Sequence, residues 1–191
     1  MFESFWDLSV PLGSTVESCL KKFTTEETLD GADKPMCDNC KKQRKMRKVY
    51  KMWKLPEVLI IHLKRFKQSG RSRNKDSSRV RLDEKLNVSQ FLHDKSRGNS
   101  GTTYELFAVS NHMGDTGGGH YTASCKNEGG DSWRYCNDMR VSNVSSNEVQ
   151  SSDAYVLFYQ RLWSTNKLLE WNTKWNKKWK LYYYISFNTS K

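Results

Sequence analysis

Gly117-Gly118-Gly119-His120-Tyr121-Thr122-Ala123 places a histidine directly after three glycines, at the start of an apolar-patterned stretch. Seventeen residues later, Trp133-Arg134-Tyr135-Cys136-Asn137-Asp138 ends in an amide followed by a carboxylate. An imidazole becomes an effective general base when its second ring nitrogen is held by an acceptor, and both later side chains can serve. In this reading His120 takes the proton and Asn137 fixes the ring and its tautomer through the side-chain carbonyl. Asp138 adds charge beside the imidazolium or a second hydrogen bond. Trp133 and Tyr135 alternate with Arg134 and Cys136, which puts Asn137 at the end of a strand facing a cleft. A histidine after a glycine loop would by itself be read as structural, as His62 and His112 are here. A base and an orienter still need a nucleophile, and none of the five cysteines fits. Cys19 falls on a helix stripe, Cys125 and Cys136 flank the histidine and asparagine segments, and Cys37-Asp38-Asn39-Cys40 has metal-ligand spacing.

These groups must be carried by a frame, and the chain predicts one. Ser14-Thr15-Val16-Glu17 has the capping-box pattern, and Val16, Cys19, Leu20 and Phe23 then share one helical face. Thr24-Thr25-Glu26-Glu27 repeats the start signal and predicts a short second helix, stopped at Asp30-Gly31. Lys41 to Trp53 alternates enough for a strand, which Leu55-Pro56 ends. Val58-Leu59-Ile60-Ile61-His62-Leu63 is a β-rich apolar run suited to a strand buried on both faces. Residues 67–81 lack periodicity and read as a mobile loop, and residues 93–103 look similar. Strand character resumes at Tyr104–Val109, His120–Cys125, Trp133–Cys136 and Ala154–Tyr159, with glycines 114 and 117–119 forming a loop. Helices early and antiparallel-type strands late predict an α+β domain. Beyond Trp163 the spacing of Leu168, Trp171, Trp175, Trp179 and Tyr182 is that of an amphipathic helix, and the segment reads equally as a poorly ordered appendage.

At 191 residues the chain is one ordinary domain or most of a larger one. No apolar run is long enough for a membrane span, and the N-terminus lacks the pattern of a secretory signal. An odd number of irregularly spaced cysteines argues for a reducing compartment, the cytoplasm or nucleus. The Asn-x-Ser sequons at Asn87, Asn143 and Asn188 are then chance matches. The net charge of +11 is uneven: between Lys41 and Arg81 lie sixteen Lys and Arg but only Glu57 and Asp76. That segment could contact nucleic acid or an acidic protein face, but a solvated strand face and charged loop explain it better.

The His120 and Asn137-Asp138 segments resemble the histidine and Asn/Asp motifs of the ubiquitin-specific proteases, papain-like cysteine hydrolases. Further blocks look similar in the same order: Phe5-Trp6-Asp7-Leu8-Ser9, Leu29-Asp30-Gly31, Leu55 to Phe66, Tyr104 to His112, and Ser152 to Tyr159. The resemblance covers residues 4–161. It implies a papain-like cysteine protease fold, here the C-terminal palm sheet of mostly antiparallel strands plus part of the zinc-ribbon fingers, without the N-terminal lobe. Residues 1–162 would be that part of the catalytic domain and 163–191 a Trp/Lys-rich tail. It further implies cleavage after the C-terminal glycine of ubiquitin, with ubiquitin or ubiquitinated proteins as partners and no cofactor for catalysis. His120, Asn137 and Asp138 would be the catalytic residues.

Gly117, Gly118, Gly119 and Tyr121 would contact substrate, because side-chain-free backbone lets a tail ending in two glycines approach closely. The segment Met113–Gly119 resembles a blocking loop that shifts on ubiquitin binding. In the family the nucleophilic cysteine and a second CxxC both lie N-terminal to the Phe-Trp-Asp-Leu segment. The chain alone is therefore expected to be inactive, with Cys37 and Cys40 as half of a structural zinc site. A non-catalytic ubiquitin-binding module is the alternative, and nucleic-acid binding by residues 41–81 a third reading that rests on charge alone.

Overall fold

The computed structural model describes residues 2–69, 72–96, 101–126, 130–162 and 181–189. In chain order the elements are β1 (Phe2–Phe5), β2 (Leu8–Val10), α1 (Val16–Phe23), β3 (Glu27–Leu29), β4 (Met46–Lys54), β5 (Val58–Leu63), β6 (Phe66–Ser69), β7 (Ser72–Lys75), β8 (Lys85–Asn87), β9 (Thr103–Gly114), β10 (Gly119–Lys126), β11 (Trp133–Asn137), β12 (Arg140–Val144), α2 (Ser146–Val149), β13 (Ala154–Arg161) and β14 (Leu181–Thr189). The chain is sheet-rich with few helices. The principal sheet runs β12-β11-β10-β9-β13-β5-β2, with β8 added against β9. Its pairings are antiparallel except β2 with β5. A second sheet has the order β1-β14-β4-β3, and β6 and β7 form a separate hairpin. No helix among the described residues is long and apolar enough to cross a membrane.

The interior of the principal sheet explains its order. Leu59, Ile61 and Leu63 of β5 are buried, as are Leu8 and Val10 of β2 and Leu157 and Tyr159 of β13. Val16, Cys19 and Leu20 of α1 join the same core, with Phe23 packed against it, so the helical stripe does face the sheet. The cap sits one residue later than the Ser14 start predicts. Thr15 has extended backbone and accepts from the Ser18 amide, while Ser18 Oγ accepts from the Thr15 amide. Lys21 and Lys22 occupy the last turn, where cations complement exposed carbonyls.

Three expectations differ from the structure. The second helix predicted from the Thr24–Glu27 start signal to the stop at Asp30-Gly31 is absent, and Glu27–Leu29 is strand β3, followed by a 3-10 turn at Gly31–Asp33. The acids that suggested a helix start instead pair across strands, Glu26 with Arg47 and Glu27 with Lys48. Part of the basic segment is thereby neutralised. Residues 67–81 contain the β6–β7 hairpin rather than a loop alone. Of the tail, 163–180 lie outside the described residues. The backbone of β14 is extended, not helical, and pairs with β1 and β4. The run Leu181-Tyr182-Tyr183-Tyr184-Ile185 has the composition that strands favour.

One buried cation ties the hairpin to the principal sheet. Arg65 is fully buried; its Nε donates to the Ala154 carbonyl at 2.7 Å, and its Nη1 to the Asp76 and Ser78 carbonyls at 2.9 and 2.8 Å. Lys75 at the end of β7 is nearly as buried, and its Nζ reaches the His112 carbonyl and Asp153 Oδ1. The polar stretch after β5 is thus anchored at both ends by charged groups inside the fold.

Candidate active site

β9 and β10 form a hairpin that closes on the pair Gly114–Gly119, followed by Met113–His120. β10 continues into antiparallel pairing with β11, where Ala123 faces Cys136 and Ser124 faces Tyr135. Strand alternation then sorts the side chains. His120, Thr122 and Ser124 share one face with Trp133, Tyr135 and Asn137; Tyr121, Ala123 and Cys125 share the other with Arg134 and Cys136. The two residues singled out from the sequence therefore meet on one side of the sheet. His120 Nε2 lies 2.7 Å from Asn137 Oδ1.

That contact fixes the chemistry of the ring. An amide oxygen can only accept, so Nε2 carries the hydrogen and donates it, and Nδ1 is left with a bare lone pair. Nδ1 is the base. The His120 side chain is 44% exposed. Asp138 follows in the two-residue turn before β12, with φ of 50°, a left-handed conformation that aspartate tolerates better than most residues. Its Oδ2 stands 3.9 Å from His120 Nε2 and its side chain is 77% exposed. At that distance and exposure it is a weak electrostatic neighbour, worth about 0–1 kcal/mol.

The three glycines are not equivalent. A Cβ on Gly119 would lie 2.2 Å from His112 Nε2 and 2.5 Å from the Met113 carbonyl, whereas one on Gly118 would meet nothing within 4 Å. Gly117 is intermediate, its nearest neighbour being Asp115 Oδ1 at 3.3 Å. Gly119 is thus required by the fold itself, because the buried His112 packs against the residue preceding His120. Gly114 has φ of +104°, and its virtual Cβ would sit 2.5 Å from the Gly118 carbonyl. Gly119→Ala is expected to destabilise the domain by about 1–3 kcal/mol and to displace His120, while Gly118→Ala leaves stability unchanged within about 0.5 kcal/mol. Urea denaturation of the two variants beside the parent checks this contrast.

Tyr121 is exposed, on the face away from His120, and leads an aromatic cluster. Its ring centroid lies 4.7 Å from His112 and 6.5 Å from Tyr155, with Phe66 and His62 adjoining. His62 is also held by Ser9 Oγ at 2.8 Å, and burial lowers its pKa. Sequence reasoning missed Arg65 and Lys75 as supports of this region. Their types blend into a run of surface-like basic residues, and only the long-range carbonyls they meet distinguish them.

The cysteines lie elsewhere. Cys19 is core, its sulfur accepting the Gly13 amide at 3.0 Å. Cys125 and Cys136 occupy the face opposite His120. Cys37 and Cys40 sit in a turn before β4, where Lys41 takes φ of 53° and the Cys37 carbonyl accepts the Lys41 amide. The Lys42 amide, the Arg44 side chain at 3.2 Å and Cys37 all hydrogen-bond Cys40, which lowers the Cys40 thiol pKa. A turn that gathers donors around a sulfur favours thiolate, the form that binds metal. Two thiols are half of the four ligands a closed zinc site needs. Among the described residues no group of three or more His, Cys, Asp or Glu could hold a metal.

Comparison with known proteins adds to this geometry. The family model described as ubiquitin carboxyl-terminal hydrolase matches residues 19–159. Ubiquitin carboxyl-terminal hydrolase 2 of Gallus gallus is 42% identical over 166 residues, covering 83% of this chain and 46% of that protein. The Homo sapiens protein of the same name is 38% identical over 167 residues, covering 84% of this chain and 27% of that protein. Among solved structures, a SAGA Ubp8/Sgf11/Sus1/Sgf73 DUB module bound to ubiquitin aldehyde has a TM-score of 0.69 at 32% identity. That match covers 83% of this chain and 36% of the other. The chain spans less than half the length of each.

Proposed function

Because this chain belongs to the ubiquitin carboxyl-terminal hydrolase family, we propose that it is the base-bearing part of a deubiquitinating thiol hydrolase, cleaving after the terminal glycine of ubiquitin. The observation that carries the reading is the 2.7 Å contact between His120 Nε2 and Asn137 Oδ1, which leaves Nδ1 free to accept a proton. In the complete reaction a cysteine thiol gives its proton to His120 Nδ1, and the thiolate attacks the carbonyl carbon of the ubiquitin terminus. The tetrahedral intermediate collapses to a thioester as the amine leaves with the proton from Nδ1. Water, deprotonated by the same nitrogen, then releases ubiquitin and restores the thiol. Asn137 holds the ring in register through each transfer, and Asp138 stabilises the imidazolium weakly. The open side of the glycine loop at Gly117 and Gly118 admits the di-glycine tail.

The nucleophile in this reading comes from outside the 191 residues, since every cysteine of the chain is accounted for on another face or in another element. Cys37 and Cys40 would hold half of a structural zinc, and its other ligands come from the same outside source. The placement of the cysteines favours one further reading, a chain that binds ubiquitin without hydrolysing it. Purified residues 1–191 are expected to leave a ubiquitin-amide fluorogenic reporter at its background rate while binding labelled ubiquitin weakly. Turnover that persists after removal of contaminating hydrolases would contradict the assignment of an external nucleophile. Neither binding nor turnover would contradict both readings.

A further inference from the structure

On the face of β10 and β11 turned away from His120 stand two thiols that the mechanism does not use. Cys136 is paired with Ala123 and Cys125 with Arg134, so the cysteines are diagonal neighbours on one side of adjacent strands. Both are half-buried. Cys136 is also bonded directly to Asn137, the last residue of β11. We propose that Cys125 and Cys136 are a peroxide-responsive thiol pair whose closure to a disulfide drags the end of β11 and releases Asn137 from His120.

The distances make the closure consequential. Diagonal neighbours on an antiparallel pair stand about 7–8 Å apart at Cα, whereas a disulfide spans about 4.4–6.8 Å. The bond therefore forms only if the strands shift against each other by a fraction of an ångström to a few. That shift is applied one residue from a 2.7 Å hydrogen bond. A bond formed under such strain is readily reduced, so the change is reversible.

The chemistry balances with peroxide as the oxidant. The Cys136 thiolate attacks a peroxide oxygen, the O–O bond breaks, and a sulfenic acid and hydroxide result. The Cys125 sulfur attacks the sulfenic sulfur, the S–S bond forms, and the S–O bond breaks with loss of water. Two thiols are oxidised by two electrons, and one peroxide becomes two waters. Burial and the adjoining Cys136 raise the pKa of the Cys125 thiol, which disfavours its thiolate as the first attacker.

Bond and displacement follow from the register of the strands; only the consequence that closure stops hydrolysis rests on the functional reading above. The test therefore reads the bond and the hydrogen bond, not turnover. The 191-residue chain is treated with hydrogen peroxide, digested without reductant and mapped by mass spectrometry. In parallel, the His120 Nε2 nitrogen is followed by NMR. The expected result is a peptide linked through Cys125 and Cys136, together with loss of the donating Nε2–H signature, both reversed by dithiothreitol. Cys136→Ser is expected to abolish both changes, and Cys125→Ala gives the same comparison if the serine variant does not fold. Absence of the linked peptide in the parent overturns the proposal. A linked peptide with an unaltered His120 signal overturns the release of Asn137.

Discussion

His120→Ala is expected to lower kcat/KM for a ubiquitin-amide substrate by about 10³–10⁴ when residues 1–191 are joined to the nucleophile-bearing N-terminal part of a family relative. The loss falls on kcat and leaves KM nearly unchanged, because the imidazole is asked for proton transfer rather than for holding ubiquitin. Asn137→Ala is expected to cost on the order of 10², since the ring survives but loses the acceptor that sets its tautomer and angle. Asp138→Asn is expected to stay within about fivefold, as a 3.9 Å contact on an exposed carboxylate implies. Steady-state kinetics on the three variants, with thermal unfolding to confirm intact folds, reads this order. Equal losses at Asn137 and Asp138 would show that the carboxylate shares the orienting role.

The second large effect is on stability. Arg65→Ala is expected to destabilise the domain by about 3–5 kcal/mol, measured by denaturant unfolding. Its fully buried guanidinium donates to three backbone carbonyls, those of Ala154, Asp76 and Ser78. Alanine leaves those acceptors unpaired and opens a void the size of the side chain. Lysine does not rescue, because one ammonium cannot reproduce the planar spread of Nε and Nη1 over three acceptors. The loss also frees the segment from Asp76 to Ser78, so hydrogen exchange at residues 66–69 and 72–78 is expected to quicken before global unfolding. A cost below about 1 kcal/mol would mean that water replaces the guanidinium and that the hairpin is held elsewhere.

How far the sequence discloses this arrangement depends on which physical signal each part carries. The stripe Val16, Cys19, Leu20 and Phe23 marks α1 because one face must be apolar, and the apolar run from Val58 to Leu63 marks β5, although only the face of Leu59, Ile61 and Leu63 is fully buried and Ile60 and His62 on the other are partly exposed. His120 and Asn137 were visible as residue types, and their meeting follows from strand alternation once β10 and β11 are paired. The hairpin β6–β7 was invisible, since Lys67, Gln68, Arg73, Asn74 and Lys75 have no apolar alternation. What shapes that stretch is two buried cations and the distant carbonyls they reach. Glu26 and Glu27 looked like helix-starting acids until β4 supplied Arg47 and Lys48 as partners. Three glycines in a row suggested a tail-binding loop. That Gly119 alone is demanded by the fold emerges only from the position of His112 beneath it. Local pattern reveals elements, while the roles of Arg65, Lys75 and Gly119 come from contacts between segments far apart in the chain.

Nitrogen-15 NMR of the His120 ring at a pH where it is neutral tests the central claim most directly. The account predicts a single tautomer with hydrogen on Nε2, donated to Asn137 Oδ1, and an unprotonated Nδ1; Asn137→Ala is expected to collapse it to the averaged signal of a free imidazole. Hydrogen on Nδ1 in the parent, or an averaged ring untouched by the Asn137 change, would contradict the account.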